Sequence, residues 1–301
     1  MKKILIAGGS GFIGYHLSKR CLKKGWKVIS ISSKQPRGFR KLKKVKYIIC
    51  DLRKKNKIKN KIKSNFNFII NLSGHVDHKN KKKTFESHFI AVKNLVNFAN
   101  KSSLERFVQM GSSAEYGGLS KPQKETSKCL AKSYYGNAKL KTSNFLLDQF
   151  KKFRLPITIF RLFQAYGPYQ DINRLIPITI NACMNNRVFN CSDGNQLRDF
   201  IYIDDVTEAI IKCLQNKSSI GQIYNLGSGK KIKIKSIIKK ISNYYGGGKP
   251  LFGKIKLRKD ESKVIFANIK KIKKQLNWKP RVNFEEGLKK TLKFYDKNKK
   301  D

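Results

Sequence analysis

Acidic residues are scarce in this chain: 19 Asp and Glu stand against 67 Lys and Arg, a formal net charge of +48 over 301 residues. Arginine is scarce as well, 12 against 55 lysines. A nucleic-acid footprint concentrates on one face and interleaves arginine with aromatics. Here the lysines lie scattered in short runs such as Lys54-Lys55, Lys81–Lys83, Lys151-Lys152 and Lys273-Lys274. That scatter, with abundant Ile and Asn, reads as a compositional bias and a solvated basic surface, and argues against nucleic acid as the partner. Such a surface still steers anionic substrates. No Cys-x-x-Cys pair occurs among the six cysteines (21, 50, 129, 183, 191 and 213), so a zinc ribbon and a disulfide framework are not indicated. They read as reduced, mostly buried thiols of a cytoplasmic protein. No apolar run approaches the ~18 residues of a membrane span. The apolar stretch after Lys2-Lys3 is too short for a secretory signal. There is no internal repeat and no Gly/Ser-rich linker. With 40% hydrophobic residues, the chain can build one large α/β domain and a smaller appended lobe.

The most informative stretch is the first. The strand-length apolar run Lys3-Ile4-Leu5-Ile6-Ala7 leads into Gly8, Gly11 and Gly14, spaced three apart. Ile13, Leu17 and Cys21 then recur four apart up to Gly25, which is a helical pattern. A buried strand, a tight turn and a helix N-terminus make a phosphate cradle. Gly8 turns the chain, Gly11 lets a pyrophosphate approach the backbone, and Gly14 lets helix and sheet pack closely; Phe12 and Ile13 open the helix beside it. The expected ligand is a dinucleotide.

Further strands are expected over Lys27–Ile31, Tyr47–Leu52, Phe66–Leu72 and Arg106–Met110, with a short exposed helix in 53–65 and an amphipathic helix over 85–100. The alternation predicts an α/β fold with a doubly wound, mostly parallel sheet. Asp51 and Leu52 are placed for an adenine ring, and Leu72, Ser73 and Gly74 for close approach of the ligand. After the second strand, a carboxylate would hydrogen-bond an NAD ribose. This chain has Ser32, Ser33, Lys34 and Arg37 instead, hydroxyls and cations that suit a 2′-phosphate. NADP(H) is therefore favoured, with NAD(H) as the alternative.

The fifth strand ends in Gly111-Ser112-Ser113-Ala114-Glu115-Tyr116-Gly117, and Tyr135-Gly136-Asn137-Ala138-Lys139 opens a long helix. Tyr135 and Lys139, four apart, share a helix face. A lysine ammonium beside an oxidised nicotinamide favours the phenolate, making Tyr135 an acid–base group near neutral pH. Ser113 is expected to hold the reacting oxygen against it. His75 and His78, with His88 nearby, lack a clear partner for a metal, and none is expected.

The chain resembles the extended short-chain dehydrogenases/reductases of the NAD(P)-dependent nucleotide-sugar epimerase/dehydratase family. The segments that carry the likeness are GGSGFIG at 8–14, NLSG at 71–74, GSSAEYG at 111–117, YGNAK at 135–139, RLFQAYGP at 161–168, RLIP at 174–177, RDFIYIDDV at 198–206, YNLGSG at 224–229 and LNWKP at 276–280. The resemblance implies a Rossmann-type domain over 1–165, to which some later segments return, and a smaller C-terminal α/β lobe over 166–301 that binds a nucleoside-diphosphate sugar. It gives Ser113, Tyr135 and Lys139 the catalytic roles, and makes Gln164, Arg198 and Arg258 substrate-binding. Dehydratase relatives place an acidic residue two after the Ser or Thr, which makes Glu115 a further candidate. However, nucleotide-glucose 4,6-dehydratases carry Asp-Glu where this chain has Ala114-Glu115. His88 stands where an Asn is frequent, and Asn268 replaces a common Asp. The favoured activity is reduction of an NDP-4-keto-6-deoxyhexose. The alternatives are an NDP-sugar 4-epimerase, then a 4,6-dehydratase, then a non-catalytic nucleic-acid-binding member. A homodimer through the helices near 90–100 and 135–150 is expected by analogy.

Overall fold

The structure, a computed structural model, describes residues 1–55, 57–62, 65–75, 80–99, 102–118, 121–257 and 261–298. Its first half alternates strand and helix: β1 (Lys3–Ala7), α1 (Phe12–Lys23), β2 (Lys27–Ser32), β3 (Val45–Ile49), α2 (Lys57–Lys61), β4 (Phe68–Asn71) and α3 (Lys81–Phe85). A π turn (Glu86–Ile90) joins α3 to α4 (Ala91–Phe98), followed by β5 (Arg106–Ser112), a 3₁₀ turn (Ser113–Tyr116), α5 (Tyr134–Phe153) and β6 (Ile157–Leu162). The second half holds β7 (Gln164–Tyr166), α6 (Leu175–Met184), β8 (Val188–Asn190), β9 (Leu197–Arg198), β10 (Phe200–Tyr202), α7 (Ile203–Gln215), β11 (Gln222–Leu226), β12 (Ile232–Lys233), α8 (Ile234–Tyr245), β13 (Lys249–Leu251), β14 (Val264–Ile265), α9 (Lys270–Leu276) and α10 (Phe284–Lys297).

Seven parallel strands form the main sheet in the order β11-β6-β5-β4-β1-β2-β3. Side chains alternate across it, as the pleat requires. Ile4 and Ile6 of β1 join the core under α1 and α7, while Leu5 and Ala7 join the core under α4 and α5. The strands are near-continuous apolar runs because both faces are covered, and the expected doubly wound fold is what forms. The chain winds outward from β1 through β2 to β3, then returns to the other side at β4. That reversal opens a crevice at the carboxyl ends of the strands. The small strands of the second half gather in three minor sheets, β10-β7, β12-β9-β14 and β13-β8.

Three local expectations shift. The third strand runs Val45–Ile49 rather than 47–52, because Cys50 N–H closes the pairing to Ser32 O at 2.9 Å and Asp51 then turns the chain by accepting from Arg53 N–H. Among the described residues, the helix in 53–65 covers Lys57–Lys61, anchored by the buried Ile58. The helix foreseen over 85–100 starts at Lys81, where the Asn80 side chain caps Lys83 N–H at 2.9 Å, and contains the π turn.

Candidate active site

The crevice is a cleft of about 1120 Å³ lined by the chain segments that leave β1, β2, β3, β4, β5 and β6. At one end lies the glycine turn. Gly8 adopts φ +80° and donates its N–H to Ile31 O at 2.8 Å. A Cβ on Gly14 would stand 2.4 Å from Gly8 O and 2.5 Å from Gly9 Cα, so any side chain there would push α1 off the turn. No side chain caps α1 and no acid occupies its first turn, which leaves its N-terminal N–H groups and positive dipole end for an anion. This cradle fits a dinucleotide pyrophosphate. Gly8, Gly11, Phe12, Ile13 and Gly14 all line it.

Ser32, Ser33 and Lys34 line the next section, and Ser32 Oγ accepts from Ser10 N–H at 3.4 Å. Arg37 departs from expectation: it does not line the cleft but pairs with Asp171 at 3.5 Å, a carboxylate it shares with the buried Arg40. Asp51 and Leu52 line the wall after β3. Three hydrogen bonds from the Arg53 guanidinium, at 2.7, 2.9 and 3.2 Å, hold the Asp51 carboxyl below the usual range. Leu72, Ser73 and Gly74 line the opposite wall, where Asn71 Oδ1 accepts from both Ser73 N–H and Ser73 Oγ.

The chemical end is built by β5 and α5. The Ser133 side chain caps α5 by accepting from Gly136 N–H at 3.0 Å, which sets Tyr135 in the first turn and Lys139 one turn on. Both line the cleft. Lys139 is 5% exposed; its Nζ donates to Met110 O at 2.7 Å and lies 5.8 Å from the Tyr135 ring. Burial pulls its pKa down to about 8. For Tyr135 burial is also the largest influence and raises the pKa; the Ser112 hydroxyl, hydrogen-bonded to it, and the Arg174 guanidinium act in the opposite sense.

Two features stand out at the strand end. Ser112, the neighbour of the expected Ser113, is hydrogen-bonded to Tyr135, and both serines line the cleft. Ser112 Oγ accepts from Ala114 N–H at 3.1 Å, so its own proton is available to the phenol oxygen. Glu115 is not in the cleft. It is fully buried, accepts from Ser112 N–H, Ser143 Oγ and Arg161 Nε at 2.9 Å each, and caps the 3₁₀ turn from inside. With Ser112 as the partner of Tyr135, the two following positions hold Ser113 and Ala114, neither a carboxylate.

Gln164 and Arg198 reach the far wall. Arg198 is 6% exposed and committed: it donates to Leu197 O and Lys263 O and pairs with Glu261. Its turn is set by the buried Asp199, which accepts from Ser228 N–H, Gly229 N–H and Ala267 N–H. Arg258 and His78 lie outside the described residues. Among the described residues, no group of three or more His, Cys, Asp or Glu is placed to hold a metal, and no helix is long and apolar enough to cross a membrane. Sequence reasoning missed Ser112, Arg174 and His88 as cleft residues. Arg174 stood inside the quoted RLIP segment, so the signal for it was already in view.

The profile of the NAD dependent epimerase/dehydratase family matches residues 4–227. A dTDP-D-glucose 4,6-dehydratase of Mus musculus is 29% identical over 214 residues, 68% of this chain and 59% of that protein, so the match spans less than two thirds of the relative. Bacillus subtilis YtcB, an uncharacterized UDP-glucose epimerase, is 29% identical over 303 residues, 95% of each chain. The crystal structure of Bacillus cereus UDP-glucuronic acid 4-epimerase, in complex with UDP-glucuronic acid and NAD, superposes with a TM-score of 0.88 at 24% identity, covering 98% of this chain and 99% of that one. The glycine cradle, the Tyr135–Lys139 helix and the family match over most of the chain agree: the protein belongs to the NAD-dependent epimerase/dehydratase family of extended short-chain dehydrogenases/reductases.

Proposed function

We propose that the protein transfers a hydride at a sugar carbon, C4, of a nucleoside-diphosphate hexose, and that its reaction is the reduction of a 4-keto-6-deoxy sugar. The observation that carries the reading is the meeting of Ser112, Tyr135 and Lys139 at one end of a cleft whose other end is a pyrophosphate cradle. A bound nicotinamide would supply the hydride. Tyr135 gives its proton to the sugar oxygen, Ser112 holds that oxygen and the phenol in line, and Lys139 stabilises the negative charge left on the phenol. Arg174 and Arg198 face the sugar diphosphate, and Gln164 lies beside them. In this reading residues 1–165 hold mainly the cofactor and 166–301 mainly the sugar nucleotide, in a homodimer. The absence of a carboxylate after β2, with Lys34 in the cleft, favours NADP(H) over NAD(H), although Arg37 does not contribute there. The dehydratase reading loses its acid, because Glu115 is enclosed with Arg161.

A 4-epimerase is the second reading, favoured by the end-to-end likeness to YtcB. Thermal unfolding with each of NAD+, NADH, NADP+ and NADPH, and identification of any nucleotide released on denaturation, separate the two. A ligand that binds only the folded chain raises its stability by RT ln(1 + [L]/Kd). The reductase predicts a shift with NADPH, no retained cofactor, and NADPH oxidation on adding an NDP-4-keto-6-deoxyhexose. Retained NAD, with interconversion of UDP-glucose and UDP-galactose seen by NMR, overturns it in favour of the epimerase.

A further inference from the structure

We infer that His88 is a positioning residue, a wedge that holds the Tyr135 ring so that its hydroxyl stays aimed at Ser112. The inference rests on the reading of Tyr135 as the proton-transferring group. His88 sits in the π turn between α3 and α4, is 4% exposed and lines the cleft. A π turn inserts a residue into the helical register and re-aims the side chains around it. Here His88 points to the cleft while its neighbour Phe89 packs edge-on against Phe145 of α5, ring centroids 5.9 Å apart. Thr142 Oγ1 donates to His88 O at 2.7 Å, which ties the turn to the helix that carries Tyr135.

The imidazole is fixed from three sides. Its Nε2 lies 3.1 Å from His75 O; a carbonyl only accepts, so Nε2 carries the proton. Its ring meets the Tyr135 ring edge-on, centroids 5.0 Å apart and planes at 75°. Behind it is Gly74, where a Cβ would stand 2.0 Å from His88 Cε1. Gly74 is therefore bare where the imidazole must fit, and the imidazole fills the space into which the phenol ring would otherwise swing. Reacting groups lose rate steeply when displaced by about an ångström.

The test uses the 301-residue chain labelled with ¹³Cζ-tyrosine. Of its 12 tyrosine signals, that of Tyr135 is identified by its loss in Tyr135→Phe. His88→Ala should shift and broaden this signal, and His88→Phe, which keeps a ring edge there, should leave it sharp. In steady-state assays His88→Ala should lower kcat tenfold or more, with KM and cofactor Kd changed less than twofold, and His88→Phe should stay within threefold of wild type. An unmoved Tyr135 signal in His88→Ala, or a rise in KM with kcat unchanged, overturns the inference. Should His88→Ala not fold, Gly74→Ala, which displaces the ring from the other side, should shift the same signal; no shift overturns the inference equally. The NMR readout needs no substrate. Failure of the functional reading shows separately, as undiminished turnover by Tyr135→Phe.

Discussion

Ser112 and Ser113 are adjacent and chemically identical, yet they are not equivalent in the site. Ser112 is the last residue of β5 and caps the 3₁₀ turn, whereas Ser113 is the first residue inside that turn, so the backbone carries the two hydroxyls in different directions. Ser112→Ala is expected to lower kcat by about 10²-fold and Ser113→Ala by less than about threefold, in initial-rate assays on the keto-sugar nucleotide. Reversal of that order would restore the assignment made from spacing. Lys139 gives a second prediction. Its folded pKa is about 8, below the ordinary lysine value of 10.5. Below pH 8 both folded and unfolded chains carry the proton, and the full cost of burying the ammonium is present. Between pH 8 and 10.5 the unfolded chain binds more protons, so this contribution makes stability rise with pH. Urea unfolding of wild type and Lys139→Met at pH 7.5 and pH 10 should show the difference moving toward wild type by up to about 3 kcal/mol. No movement would mean that the ammonium is not held as described.

At the scale of elements, the join between β5, α5 and β6 depends on the buried Glu115–Arg161 pair, 2.9 Å apart and 0% and 4% exposed. The carboxylate also holds the turn that presents Ser112. Removing one partner of such a pair leaves a buried charge unmatched, at a cost of about 3–5 kcal/mol. Glu115→Ala should therefore lower the midpoint of thermal unfolding well before any question of catalysis arises; an unchanged midpoint would contradict the enclosure of this carboxylate. The elements themselves were largely legible. The apolar runs of β1, β4 and β5 and the period of α1 identify themselves, because side-chain periodicity follows from backbone geometry. The π turn was not legible: Glu86–Ile90 reads as ordinary helix, and the extra residue is accommodated only by packing against α5.

For the whole molecule, the net charge of +48 makes the folded state repel itself. Long-range repulsion between exposed lysines is screened once the Debye length falls below their spacing. Raising NaCl from about 20 to 300 mM should increase the midpoint of thermal unfolding by at least about 2 °C. A flat response in scanning calorimetry would mean that the charges are already balanced by bound anions. Lys34, Lys83, Lys132 and Arg174 line the cleft together with the ion-paired Asp51, Asp171 and Glu261, so the cations outnumber the carboxylates there and an anionic ligand is attracted.

By itself the sequence determined the alternating α/β order, the glycine cradle before α1, the Tyr135–Lys139 pair on one helix face and the family. Each of these is a local pattern, set by the covalent geometry of neighbouring residues. Only the tertiary structure decided which serine meets Tyr135, that Glu115 belongs to the core, that Arg37 turns to Asp171, that Arg198 is paired with Glu261, and that His88 stands between Gly74 and Tyr135. These contacts join different elements, so they depend on how strands and helices pack, and the spacing of residues along the chain does not encode that distance.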